Sequence, residues 1–146
     1  MHNRAALERL DGDPVRGLKG GLRPFHTLCP ALVTGPDGEI MTMATPGDHG
    51  QPQTLAQLLR RHFGQGLDLQ AAIEWPRLRH DASDEVMLED RCPDAWDAVL
   101  AEAGWRVRRV GPWSRLMGGA GAILRRPDRL LMAGADPRRS SYAVAV

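Results

Sequence analysis

Three histidines, His49, His62 and His80, are the first candidates for chemistry in this 146-residue sequence. Imidazoles hold zinc when they come in closely spaced pairs, and no two of these are close, so no metal is expected on them. Asp81, Asp84 and Glu85 offer calcium-type oxygens in one short run, but a solvated acidic surface is the simpler reading. Cys29 and Cys92 each lack a neighbouring Cys or His; a disulfide is open to them, and two buried free thiols are favoured. Gly118-Gly119-Ala120-Gly121 has the glycines of a phosphate loop, yet no Lys-Ser or Lys-Thr follows it and a strand, not a helix, comes next. Trp75, Trp96, Trp105 and Trp113 read as core or rim side chains rather than as stacking platforms. No metal and no cofactor are expected.

The composition narrows the partners. Basic and acidic residues nearly cancel, 19 against 18, so nothing favours nucleic acid or an anionic membrane. Lys19 is the only lysine, so nearly all the positive charge is arginine, which codon bias explains better than recognition of carboxylates or phosphates. A hydrophobic content of 42% fits a globular chain. The first residues contain no apolar run of the signal-peptide kind, and no stretch approaches the ~20 apolar residues of a membrane span, so a cytoplasmic location is the default.

Elements that could position functional groups follow from periodicity and turn chemistry. Residues 1–21 read as weakly structured, with a short helix over Ala5 to Leu10 and a loop from Gly12 to Gly21. Residues 22–146 read as one domain. Leu28 to Val33 and Glu39 to Thr45 flank Gly35-Pro36-Asp37-Gly38 and predict a hairpin. Thr45-Pro46-Gly47-Asp48-His49-Gly50 is then a tight strand-to-helix loop, with Asp48 placed to cap the helix. Leu55, Leu58, Leu59 and Phe63 form a helical stripe that Gly64 and Gly66 end. Asp68 caps a second helix carrying Leu69, Ala72 and Ile73, closed by Pro76. A strand over Val86 to Glu89 precedes a helix with Pro93 in its first turn and Gly104 as its stop. Arg106 to Val110 reads as a half-exposed strand, Ala122 to Arg125 and Leu130 to Ala133 as a hairpin, and Tyr142 to Val146 as a last strand. The sum is an α/β (α+β) domain, layered, with a mixed sheet and flanking helices.

Four segments, in order, resemble the γ-glutamyltransferase family and its N-terminal-nucleophile hydrolase relatives. They are Leu22-Arg23-Pro24-Phe25-His26-Thr27-Leu28-Cys29-Pro30-Ala31-Leu32, Thr45-Pro46-Gly47-Asp48-His49-Gly50-Gln51-Pro52-Gln53-Thr54, Asp68-Leu69-Gln70-Ala71-Ala72-Ile73-Glu74-Trp75-Pro76-Arg77 and Gly134-Ala135-Asp136-Pro137-Arg138-Arg139. The match is to the C-terminal portion of that family's small subunit. It implies part of an αββα sandwich made by autocatalytic cleavage, which frees a threonine that attacks γ-glutamyl amides such as glutathione. Related members include cephalosporin acylases and a poly-γ-glutamate-processing transpeptidase. The nucleophile lies upstream of the segment matching Leu22 to Leu32, so no catalytic residue is assigned within this chain. Two other elements carry over: His26 and Thr27 stand at the serine pair that contacts the substrate carboxylate, and Gly47 and Asp48 at the glycine pair whose N–H groups form the oxyanion hole. Asp48 is the departure that matters most, because a β-carbon blocks the close approach that glycine allows and a carboxylate opposes a developing negative charge.

The resemblance implies a chain inactive alone and completed by a large-subunit-like partner into a γ-glutamyl hydrolase or transpeptidase. The alternative is a non-catalytic small-molecule-binding or interaction domain that keeps the fold, and a third reading is a shortened version of a longer chain. Half a layered sandwich leaves apolar faces uncovered, so a homodimer is expected in the absence of that partner. Export would apply if the chain belongs to a larger precursor. Asp136-Pro137-Arg138-Arg139 is expected to be a structural turn near the cleft.

Overall fold

Strands β1 (Ala31–Thr34) and β2 (Ile40–Ala44) form the expected antiparallel hairpin, in register Leu32 to Thr42. Its turn is closed by the Gly35 N–H donating to Glu39 O at 2.8 Å, with Gly38 at φ +89°, where a side chain would be strained. The computed structural model describes residues 9–15, 17–21, 23, 26–81 and 83–144. A second antiparallel pair, β6 (Gly121–Arg125) and β7 (Leu131–Ala135), joins the hairpin in a four-stranded sheet of order β1-β2-β6-β7. The other sheet has the order β3-β4-β5, with β3 (Leu78–His80) antiparallel and β5 (Arg106–Val110) parallel to β4 (Glu85–Glu89). The parallel pair is joined through α3 (Ala95–Glu102), since parallel neighbours need a crossover.

Strand alternation gives the four-stranded sheet two unlike faces. Met41, Met43, Ala122 and Leu124 turn inward and pack with Leu55 and Leu58 of α1 (Gly50–Leu59) and Leu69 and Ile73 of α2 (Leu69–Glu74). On the other face Leu32, Thr42, Ile123 and Ala133 lie in one row across all four strands, and Leu32, Ile123 and Leu131 are 74%, 49% and 66% exposed. One layer of helices therefore covers one face only. A second cluster of Val86, Leu88 and Cys92, with Leu78, Trp96, Leu100 and Val107, seals α3 onto the smaller sheet.

Glutamines join the helices to strand borders. Gln57 accepts from the Leu78 N–H (3.1 Å) and donates to Leu78 O (2.8 Å), while Gln53 does the same to His80 (2.8 and 2.7 Å). Gln70 of α2 accepts from the Ala135 N–H at 3.1 Å and donates to Ala135 O at 2.9 Å. Each primary amide thus presents the donor–acceptor pair that a neighbouring strand would.

Several expectations need correction. Tyr142–Val144 form no strand and lie beside the exposed sheet face, where they line an open cleft of about 580 Å³ with Ile123 and Ala133; residues 145–146 lie outside the described residues. Residues 5–8 of the expected first helix also lie outside them, and Arg9 instead makes a parallel bridge to Gly17. Cys29 is exposed and only Cys92 is buried, both as free thiols. Strand β3 was not anticipated, because Leu78-Arg79-His80 alternates too briefly to register. Helix α1 continues into a π-turn over Arg60–Gly64, and α3 begins after Pro93, with Asp94 as its N-cap. Asp68 caps α2 as expected, accepting from the Ala71 N–H at 3.0 Å.

Candidate functional site

The loop from Thr45 to Gly50 turns the end of β2 into the start of α1. Gly47 O and Asp48 O accept from the N–H groups of Gly50 (2.8 Å) and Gln51 (3.1 Å), so the first turn of α1 closes on their carbonyls. Their own N–H groups donate to nothing among the described residues. Gly47 has φ +143° and Asp48 φ +51°; aspartate is one of the few side chains that tolerate the left-handed region. Such a pair of free N–H groups at a helix N-terminus suits an anionic oxygen.

A second loop holds the first. Gly118, after the short 3₁₀ turn Arg115–Met117, sits at φ +88° and ψ −146°, a region open essentially to glycine. A Cβ there would lie 2.6 Å from Thr45 Oγ1 and 2.9 Å from Pro46 O. The buried Thr45 hydroxyl donates to Pro46 O (2.9 Å) and accepts from the Gly119 N–H (3.0 Å). Thr45 and Gly118 are thus the pieces that fix the turn.

The other two expected site residues lie on the segment before β1. Thr27 is half-buried and His26 exposed. Gln51, in the first turn of α1 and only 4% exposed, donates to Thr27 O (2.7 Å) and accepts from the Cys29 N–H (3.2 Å). The structure therefore ties the Thr27 backbone to the first turn of α1 through Gln51. The Thr27 hydroxyl donates to no described residue. Replacing Gln51 by alanine is expected to release residues 26–29 and cost about 1–3 kcal/mol, by stranding two backbone groups. Amide hydrogen exchange at Cys29 should accelerate at least tenfold; unchanged protection would refute the tie.

The remaining candidates are accounted for locally. His62 Nδ1 lies 2.8 Å from Leu67 O and His80 Nε2 2.7 Å from Ser83 O. Asp84 forms a forked ion pair with Arg106, and Glu85 pairs with Arg108. Arg106 beside Asp84 holds that carboxyl below its ordinary range. No cluster of three or more metal-type side chains occurs among the described residues. No helix among them is long and apolar enough to cross a membrane. Trp113 is a rim residue that carries the Arg91 guanidinium 3.5 Å above its ring.

Sequence reasoning missed the parts played by Thr45, Gln51 and Gly118. The spacing of Gln51, Gln53 and Gln57 on an otherwise apolar-striped helix was the available signal. Nothing in the local sequence marks Gly118 as the neighbour of Thr45.

The family profile described as gamma-glutamyltranspeptidase matches residues 1–146. The chain is 40% identical to an oxamate amidohydrolase proenzyme of Klebsiella pneumoniae, with 97% of this chain and 28% of that protein covered. It is 33% identical to a glutathione hydrolase-like proenzyme, YwrD, of Bacillus subtilis, with 100% and 29% covered. The solved cephalosporin acylase of Bacillus halodurans superposes with a TM-score of 0.80 at 29% identity, over 94% of this chain and 26% of that one. The chain thus spans under a third of the length of these curated relatives.

Proposed function

The chain belongs to the gamma-glutamyltranspeptidase family, and we propose that it forms the oxyanion-binding side of an amidohydrolase that cleaves monoamides of small dicarboxylic acids. Oxamate is the monoamide of oxalic acid, and glutathione carries a γ-amide of glutamate; both present an amide carbonyl and a free carboxylate on the acyl side. The observation that carries the reading is the pair of unengaged N–H groups at Gly47 and Asp48, held rigid by Thr45 and Gly118. Preorganised donors of this kind act where charge develops, and one such donor is worth about 3 kcal/mol in other enzymes. Asp48 is exposed, so water screens its carboxylate from the oxyanion position. Thr27, with its free hydroxyl, is suited to the substrate carboxylate, and His26 lies at the rim.

In this reading the attacking threonine hydroxyl comes from polypeptide outside residues 1–146. It adds to the amide carbon while the carbonyl oxygen accepts from the Gly47 and Asp48 N–H groups. The carbon–nitrogen bond then breaks, and the amine leaves with the hydroxyl's proton. Water cleaves the resulting ester, releasing the dicarboxylic acid and restoring the hydroxyl. The exposed row Leu32-Thr42-Ile123-Ala133 receives the second sheet of the sandwich from that same polypeptide, in place of a second copy of the chain.

Co-expression of this chain with the preceding part of a family proenzyme tests the proposal. Cleavage of oxalic acid monoanilide or γ-glutamyl anilide should exceed that of either component by at least a hundredfold. No gain over the separate components, with a stable complex confirmed by light scattering, would leave a non-catalytic binding domain as the better reading.

A further inference from the structure

Arg79 sits at the middle of β3, which Gln53 and Gln57 hold alongside α1 at Leu78 and His80. This places its guanidinium against the N-terminus of α1. Positions that Cβ atoms would occupy on Gly50 and Gly47 lie 2.9 Å from Arg79 Nε and 4.0 Å from Arg79 Nη1. The absence of a side chain at Gly50 is what lets the guanidinium lie there.

The placement is electrostatically unusual. A cation beside the positive end of a helix is disfavoured unless an anion lies between or near them. The Arg79 side chain is only 15% exposed, and its one ion pair among the described residues is a long one to a half-exposed carboxylate. Nη1 donates to Leu116 O at 2.9 Å, and Nη2 stands 3.6 Å from the half-exposed Asp81, beyond hydrogen-bond length. Nε is buried without a partner, and Asp48 makes no ion pair with the group. A guanidinium has five N–H donors, so most of its capacity is unused.

We propose that Arg79 is a specificity-determining residue of the Gly47–Asp48 site, favouring acyl groups whose carboxylate is bonded directly to the carbonyl under attack. The proposal rests on the reading of this site as an oxyanion turn. With the carbonyl oxygen on the Gly47 and Asp48 N–H groups, a carboxylate one bond away falls within the field of Arg79. A carboxylate several bonds further along the acyl chain lies beyond it and needs another cation. Arg79 therefore selects the short end of the dicarboxylic series.

The test is a titration of the isotope-labelled chain with oxalate and with glutarate, read at the Gly47, Asp48 and Gly50 amides. Oxalate is expected to bind saturably and at least about tenfold more tightly than glutarate. Arg79→Gln should bring the two dissociation constants within about threefold, Arg79→Lys should keep part of the preference, and Gly50→Ala should reduce it by displacing the guanidinium. Thermal melting of each variant checks folding; where Arg79→Gln fails to fold, Arg79→Lys and Gly50→Ala decide. Absence of saturable oxalate binding, or an unchanged oxalate-to-glutarate ratio in the folded variants, overturns the proposal. Oxalate selectivity that depends on Arg79, in a chain whose assembled form cleaves neither anilide, would defeat the amidohydrolase reading and leave the anion selectivity standing.

Discussion

Replacing Glu89 by glutamine should destabilise the chain by about 3–5 kcal/mol, because it breaks a buried ionic network at its centre. Glu89 is fully buried; its Oε1 accepts from Arg138 Nε at 2.6 Å. Oε2 accepts from Arg138 Nη2 (2.6 Å), Arg91 Nη2 (2.9 Å) and the Arg77 N–H (3.0 Å). Asp136, also fully buried, pairs with Arg77 Nη1 (2.7 Å) and Arg138 Nη1 (3.1 Å) and accepts from the N–H groups of Ala120 and Arg138. Without the Glu89 charge, Arg138 keeps only Asp136 as a counter-ion, shared with Arg77, and the guanidinium excess is stranded away from water. Urea denaturation measures the loss, and a change below about 1 kcal/mol would show that the network contributes little. The network also sets an acid limit. Burial pushes the Asp136 carboxyl up, but Arg77, Arg138 and the two backbone donors more than offset that and hold it below the ordinary range. A depressed carboxyl stabilises the fold fully above its unfolded value near pH 4, and that contribution disappears as pH falls through the folded value. Denaturation midpoints should therefore be flat from about pH 5 to 7 and fall below about pH 4.

Gly118→Ala is expected to have the next largest effect, about 3 kcal/mol of stability from the forbidden backbone region and the close approach combined. The added methyl meets the Thr45 hydroxyl and the Pro46 carbonyl, neither of which can retreat without moving the Gly47–Asp48 turn. In an assembled enzyme, turnover should drop at least a hundredfold with the misplaced donors. Gly111→Ala, in the loop after β5, is the control: nothing lies within 4 Å of the methyl it would add. Equal effects of the two substitutions, in denaturation and in turnover, would remove the argument that close packing of the two loops holds the site.

Much of this architecture is legible in local sequence. The Gly35–Gly38 turn, the Asp68 cap, the Leu55–Leu58 stripe and the hairpin over Arg126-Pro127-Asp128 each follow from short-range chemistry that tertiary contacts did not override. What escaped depends on partners far along the chain. Strand β3 is held by glutamines 21 and 27 residues away. Arg138 reads as part of a structural Asp-Pro-Arg-Arg turn, and nothing local shows that its side chain is buried against Glu89, 49 residues distant. The apolar Tyr142–Val144 run has strand composition, yet it pairs with neither free border of the four-stranded sheet. Of the candidate site, Gly47 and Asp48 are proposed through family resemblance. The hydroxyl of Thr45 and the guanidinium of Arg79 become candidates only once Gly119 and Gly50 are seen against them.

The glutamine amides at Leu78, His80 and Ala135 bear on colloidal behaviour. Borders of sheets recruit foreign strands through unpaired peptide groups, the route by which soluble proteins polymerise. At β3 and at the end of β7 those groups are already matched by Gln57, Gln53 and Gln70, in the geometry an incoming backbone would need. Fibrillar growth along β3 must first evict side chains that offer the same pairs of contacts, and at β7 Gln70 closes the Ala135 end.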